Sequence, residues 1–251
     1  MNKLLSYVAL LTVALGCGSR PEQTTNPPGM ATPGVDAPAA DTTIVDDTRL
    51  TATPGASPDN FHIIPGEQVG MITAESSEAT LIEQLGRANV TPGDSIYIGE
   101  GERQLGTTLF KGTPDQAQIL WKDPARRARP DAVILRPDTL KPGTAGRQPQ
   151  WATDSGLRIG STLRDVEQIN GRAFTLYGFG WDYGGTVADW KGGRLQGPDG
   201  RSYLSVVFAV QSLSRAGEKM YNQVLGDAAF SSALPAMNQL NPVVQRMTLR
   251  F

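Results

Sequence analysis

Two stretches, 85 residues apart, carry the same local instruction and constrain what the rest of the chain can become. "SSEATLIEQLGRANV" (Ser76–Val90) sets Leu81, Ile82 and Leu85 at helical spacing behind an acidic first turn, with Gly86 where a helix stops. "GSTLRDVEQINGRAFT" (Gly160–Thr175) repeats the scheme with Leu163, Val166 and Ile169, Ser or Thr to cap the start, and Gly171 after the end. Both close on Gly-Arg-Ala, and the offset brings Leu81 onto Val166. Each is a short helix with one apolar stripe, which must be buried against another element.

The segments after each helix also correspond. The first is followed by "SIYIGEGE", "GTTLFKG", "AQILWKD" and "AVILRP"; the second by "FTLYGFGWDY", "GTVADWKGG", "YLSVVFAV" and, after an insertion at residues 213–241, "VVQRMTLRF". These are β-favouring runs divided by Gly, Pro and Asp. The expected fold is α+β: two tandem repeats, each a helix plus a four-stranded antiparallel sheet, at residues 61–137 and 156–251, with a connecting loop at 138–155. In an antiparallel sheet with one buried face, the helix of the same copy is the expected cover.

The N-terminus reads differently. "MNKLLSYVALLTVALGC" has Lys3, an uncharged apolar run from Leu4 to Leu15, and then small residues, the pattern of a secretion signal at 1–16. The run falls short of the roughly 20 apolar residues of a stable membrane span. Residues 17–60 are rich in Pro, Thr, Ala, Gly and Asp, lack aromatics, and carry six acidic residues against Arg20 and Arg49. Such a segment buries too little surface to offset chain entropy and is expected to be a disordered tether. Beyond Cys17 the chain has no cysteine, so no internal disulfide is available.

Cys17 follows Ala14-Leu15-Gly16, which resembles the lipobox of bacterial lipoproteins. That resemblance implies cleavage before Cys17, acylation of the cysteine, and a cell-envelope protein anchored to a membrane by its N-terminal lipid. Two or three acyl chains, at about 0.8 kcal/mol per buried CH₂, hold a protein at a membrane almost irreversibly. The motif "GSTLRDVEQING", and more loosely "TAESSEATLIEQLG", resembles the helix-then-sheet modules of small outer-membrane assembly lipoproteins and, in tandem, of the β-lactamase inhibitory proteins. "GFGWDYGGTV" with the preceding "LRIGSTL" also looks like a set of uncharacterised bacterial envelope lipoproteins. The first two families bind other proteins and catalyse nothing, which implies an interaction module with an envelope protein as partner.

The chemistry-bearing residues agree with that expectation. The formal charge of −2 and sequence pI of about 5.5 give no basic signature for nucleic acid. The single histidine, His62, and the single cysteine supply neither a hydrolytic triad nor a zinc ligand set, and no Gly-Lys-Ser/Thr phosphate loop occurs. No catalytic residue, metal or cofactor is assigned. Acids beside aromatics, Glu100 and Glu102 in "YIGEGE" and Asp182 and Asp189 in "GWDYGGTVADW", leave open a carbohydrate-binding or carbohydrate-acting protein.

Two features remain as candidate contact surfaces. "LYGFGWDYGG" (Leu176–Gly185) as a strand would align Tyr177, Phe179, Trp181 and Tyr183 on one side. Tyr177 and Phe179 are expected to pack inward, while Trp181, Tyr183 and the nearby Trp190 are candidate partner-binding aromatics. "DPARRARP", in the turn between the third and fourth strands of the first copy, adds Arg126 and Arg127 as candidate contacts, with Arg129 in the same basic cluster and Arg136 following the fourth strand.

Overall fold

The structure, a computed structural model, describes residues 60–137, 147–211 and 213–251. The expected signal segment, Cys17, all but the last residue of the tether, and 138–146 of the connecting loop lie outside them. The described chain is a mixed α+β fold.

Both predicted helices form. Helix α1 (Glu78–Leu85) starts at Ser77, whose hydroxyl accepts from the Thr80 amide at 3.2 Å while the Thr80 hydroxyl accepts from the Ser77 amide at 3.0 Å. Helix α2 (Leu163–Asn170) uses Thr162 and Asp165 in the same reciprocal way, and Gly171 ends it in the left-handed conformation. The Thr162 hydroxyl and amide hold the Asp165 carboxyl below the usual carboxylate range. Arg194 donates to the last-turn carbonyls of Ile169 (2.8 Å) and Gln168 (2.6 Å), satisfying groups a short helix leaves open. Leu81, Leu163 and Val166 are fully buried, each side chain contributing about 1.5–3 kcal/mol of apolar burial.

The first four long strands make the expected meander. These are β4 (Val90–Gly99), β5 (Glu102–Leu109), β6 (Ala117–Asp123) and β7 (Ala128–Leu135), each antiparallel to the next. Before them lie three short strands: β1 (His62–Ile64), β2 (Gln68–Val69) and β3 (Ile72–Thr73). They pair antiparallel in order, and β8 (Ala152–Thr153), inside the expected connecting loop, adds parallel to β1.

The second half departs from the expected repeat. Its strands β9 (Thr175–Tyr177) and β10 (Val187–Asp189) form a three-stranded sheet with β12 (Ala229–Ser231), which the insertion supplies along with helices α3 (Arg215–Asn222) and α4 (Pro235–Leu240). Strand β13 (Val243–Arg250) instead pairs with β7 of the first half, Met247 opposite Leu135 and Leu249 opposite Val133, and β11 (Leu204–Ala209) pairs with β13. The result is a six-stranded sheet ordered β11-β13-β7-β6-β5-β4. Among the described residues the second half forms no four-stranded sheet of its own, because β7 is the open edge of the first meander and its unpaired backbone groups are met by the longest strand of the second half.

One face of this sheet carries Ile119, Trp121, Val133, Leu135, Met247 and Leu249 into a core shared with α1, α2, Trp151 and Phe174. A buried polar chain crosses it. Glu78, 6% exposed, accepts from Arg127 Nε at 2.5 Å and from the Thr107 hydroxyl at 2.6 Å, and Trp121 Nε1 donates to Thr107 at 2.9 Å. Asp115, also buried, accepts from Arg147 (2.7 Å) and from the Gln150 amide (2.7 Å), tying the segment before β8 to the β5–β6 connection.

Arg127→Ala would leave the Glu78 carboxylate without its cation. Breaking a buried pair costs about 3–5 kcal/mol. The Arg127 side chain is 42% exposed, so solvent screening reduces the expected loss to about 1–3 kcal/mol in urea unfolding. Arg126→Ala, at an exposed side chain, should stay within about 0.5 kcal/mol. Equal effects of the two substitutions would contradict the network.

Candidate functional site

The aromatic stretch is positioned by close backbone approach. Strand β9 ends at Tyr177, and the chain then bends past the segment after α3, Phe179 bridging to Leu225. A Cβ on Gly178 would lie 2.5 Å from the Val224 carbonyl oxygen. One on Gly185, at φ +76°, would lie 2.1 Å from the Phe208 carbonyl oxygen. Only glycine fits at either point. Strand alternation therefore stops at Tyr177, and the four aromatics do not share one side.

Phe179 is buried and stacks on Tyr221 at 5.7 Å with 19° between the planes, while Tyr177 is half-buried. Trp181 and Tyr183 stay 37% and 49% exposed. Trp181 packs edge-on to Tyr177 (5.7 Å) and to Tyr183 (5.3 Å), and its Nε1 donates to the Gly178 carbonyl at 2.9 Å. These two rings are held in place before any partner arrives, which lowers the ordering cost of contact. Trp190 is not part of the ledge: it is 3% exposed and packs on Phe174 at 5.1 Å. It follows β10, and the side-chain amide of Asn170, the last residue of α2, donates to its carbonyl.

Tyr183 joins the ledge to the tip of the β4–β5 hairpin, its hydroxyl donating to Glu100 at 2.7 Å. The neighbouring Glu100 carboxylate, as hydrogen-bond acceptor and as charge, raises the phenol above its ordinary value, and Asp182 adds to this. The hairpin brings Tyr97, Ile98 and Leu105, all exposed. Beside the ledge a groove of about 530 Å³ is lined by Phe179, Trp181, Phe208, Leu213, Tyr221 and Gln245. That volume falls in the range of ligand-sized clefts. Leu213, Tyr221 and Gln245 come from the insertion and the last strand, which sequence reading did not connect with the aromatic loop.

The other predicted residues scatter. Arg127 is committed to Glu78, and Arg126 is exposed, 3.7 Å from Asp123. Arg136 follows the fourth strand as expected, past the far end of β7 and about 23 Å from Arg129 at about 3.3 Å per strand residue. Of the four acids, Glu100 and Asp182 gather at Tyr183, both exposed, whereas Asp189 turns to Lys191 at 2.9 Å, which holds its carboxyl low. His62 pairs with Asp154 at 2.5 Å at the edge of the small sheet. Among the described residues no three His, Cys, Asp or Glu side chains gather as a metal site, and no helix is long and apolar enough to cross a membrane. No protein-family model, no curated protein and no solved structure matches the chain.

Because Glu100 raises the Tyr183 phenol, the bond between them is intact below the ordinary tyrosine range and is lost as pH rises through the raised value. Ultraviolet titration should show one tyrosine ionising late in wild type and reverting toward the ordinary range in Glu100→Gln. An unchanged titration in the variant would show the contact does not form in solution.

Proposed function

We propose that the protein is a lipid-anchored component of a bacterial cell envelope whose folded part is a non-catalytic protein-interaction module. The supporting observation is the placement of the exposed large apolar side chains among the described residues. Tyr97, Ile98 and Leu105 lie on one hairpin, Trp181 and Tyr183 on the loop bonded to its tip, and Leu213 and Leu225 on the segments flanking that loop. Exposed apolar residues gathered in this way mark a contact surface. Ordered Trp and Tyr rings beside a groove are the side chains that carry binding energy in such surfaces. The lipid anchor rests on the sequence around Cys17 and supplies the location; the tether gives the module reach. Kinship with tandem helix-plus-sheet modules enters through the two capped helices and their common Gly-Arg-Ala ending.

A carbohydrate-binding role is the second reading, favoured by the exposed Trp181 and Tyr183 rings standing beside Glu100 and Asp182. Sugars stack on such rings while carboxylates accept from their hydroxyls.

Crosslinked membranes from cells carrying wild type should yield a defined set of copurified proteins that Trp181→Ala with Tyr183→Ala loses at unchanged melting temperature. Recovery of the same set by the double variant rules out the ledge as the contact. Saturable quenching of tryptophan fluorescence by cell-wall glycan fragments, abolished by Trp181→Ala, would instead select the carbohydrate reading.

For the anchor, Cys17→Ser should move the protein from the membrane fraction to the soluble fraction. A variant that still sediments with membranes would contradict lipidation at Cys17.

A further inference from the structure

The face of the six-stranded sheet turned away from the core carries a set of polar groups that the fold does not satisfy. Among the described residues, three buried side-chain polar atoms have no hydrogen-bond partner: Arg246 Nε, Thr186 Oγ1 and Gln118 Oε1. Two of them belong to one row. Thr186 bridges antiparallel to Val207, and Val207 pairs with Arg246 on β13. Directly opposed residues of an antiparallel pair project to the same face. Continuing the β13–β7 register one residue past Met247 and Leu135 sets Arg136 opposite Arg246. The row therefore reads Thr186, Val207, Arg246, Arg136 across four neighbouring segments. Met247 and Leu249 point into the core, which puts Arg246 on the other side. Gln118 occupies the next row of that face, in line with Ile134 and Thr248.

The electrostatics of the row are one-sided. Neither Arg136 nor Arg246 has an ion-pair partner among the described residues, whereas the partly buried guanidinium of Arg127, in the turn before β7, has Glu78. Burial and the neighbouring Arg136 both work against the charge on Arg246, and Tyr97 from the β4–β5 hairpin is the group that offsets them. A buried N–H without an acceptor and two adjacent cations without an acid destabilise a fold that gains nothing else from them. A bound anion reverses both effects: it accepts from Arg246 Nε and from the Thr186 hydroxyl, and it neutralises the pair. Gln245 and Ala209, which line the aromatic groove, adjoin this row along β13 and β11.

We propose that the Thr186–Arg246–Arg136 row is an oxyanion-binding site, taking a carboxylate or phosphate group. Assigning that group to the partner of the aromatic ledge rests on the proposed binding role; the site itself does not, and its test needs no partner.

Inorganic phosphate and acetate, each compared with chloride at constant ionic strength, are the probes, read by isothermal titration and by melting temperature. Phosphate or acetate should bind saturably and raise the melting temperature of wild type by several degrees, as mass action requires of a ligand selective for the folded chain. Stronger response to phosphate than to acetate would assign the site to phosphate, and the reverse to a carboxylate. Arg246→Gln should weaken binding about tenfold or more by removing one charge-assisted donor and its charge, and Arg246→Met with Arg136→Gln should abolish the response. In chloride, Arg246→Met should melt at or above wild type, since the uncompensated guanidinium is gone. An equal anion response in wild type and the double variant, or an Arg246→Met protein destabilised in chloride with its phosphate response intact, would overturn the proposal. So would a wild type that ignores both anions.

Discussion

The pairing of β13 with β7 is the constraint on which the rest of the molecule depends. Four register positions, Met247 with Leu135 through Arg250 with Ala132, carry the backbone of the second half onto the edge of the first. Without that pairing β7 would present an unpaired edge and β11 would have no sheet to join. With it, Ile119, Trp121, Val133, Leu135, Met247 and Leu249 fall on one side, and α1 and α2 cover a common core in place of two small ones. One larger core buries a greater fraction of its surface than two halves could.

The same pairing sets the polar anatomy. On the core side, Glu78 is enclosed and must be matched by Arg127 and Thr107; the positive φ of Arg127 (+49°) is a local strain carried where that side chain meets the carboxylate. On the opposite side, Arg246 meets Arg136 and no described acid. Arg127 and Arg246 thus have opposite circumstances, one neutralised within the fold and one left with a buried donor open. The contrast separates a structural guanidinium from one whose partner is external.

The aromatic ledge is a consequence of glycine as much as of aromatic content. Gly178 and Gly185 let three backbone segments approach within the space a methyl group would occupy. That closeness ends the strand, sends Phe179 inward, and leaves Trp181 and Tyr183 outward with their rings braced on one another. Glu100 then ties the ledge to a hairpin some eighty residues earlier in the chain.

Local rules were readable from the sequence alone. The capped helices at Ser77 and Thr162, the glycines that end them and the four-strand meander from Val90 to Leu135 follow from spacing, cap chemistry and turn residues, all of which act within a few positions of the chain. What only the tertiary structure decided was pairing over distance. Tandem sheets were a reasonable inference from two similar helices, yet β13 took the edge of β7. Trp190 had the side chain of a contact residue but is buried against Phe174, and Arg127 of the basic turn is taken up by Glu78. Short-range preferences are written in side-chain size, polarity and backbone freedom; which strand edges meet, and which charges are enclosed when they do, depends on the competition among all edges of the folded chain at once.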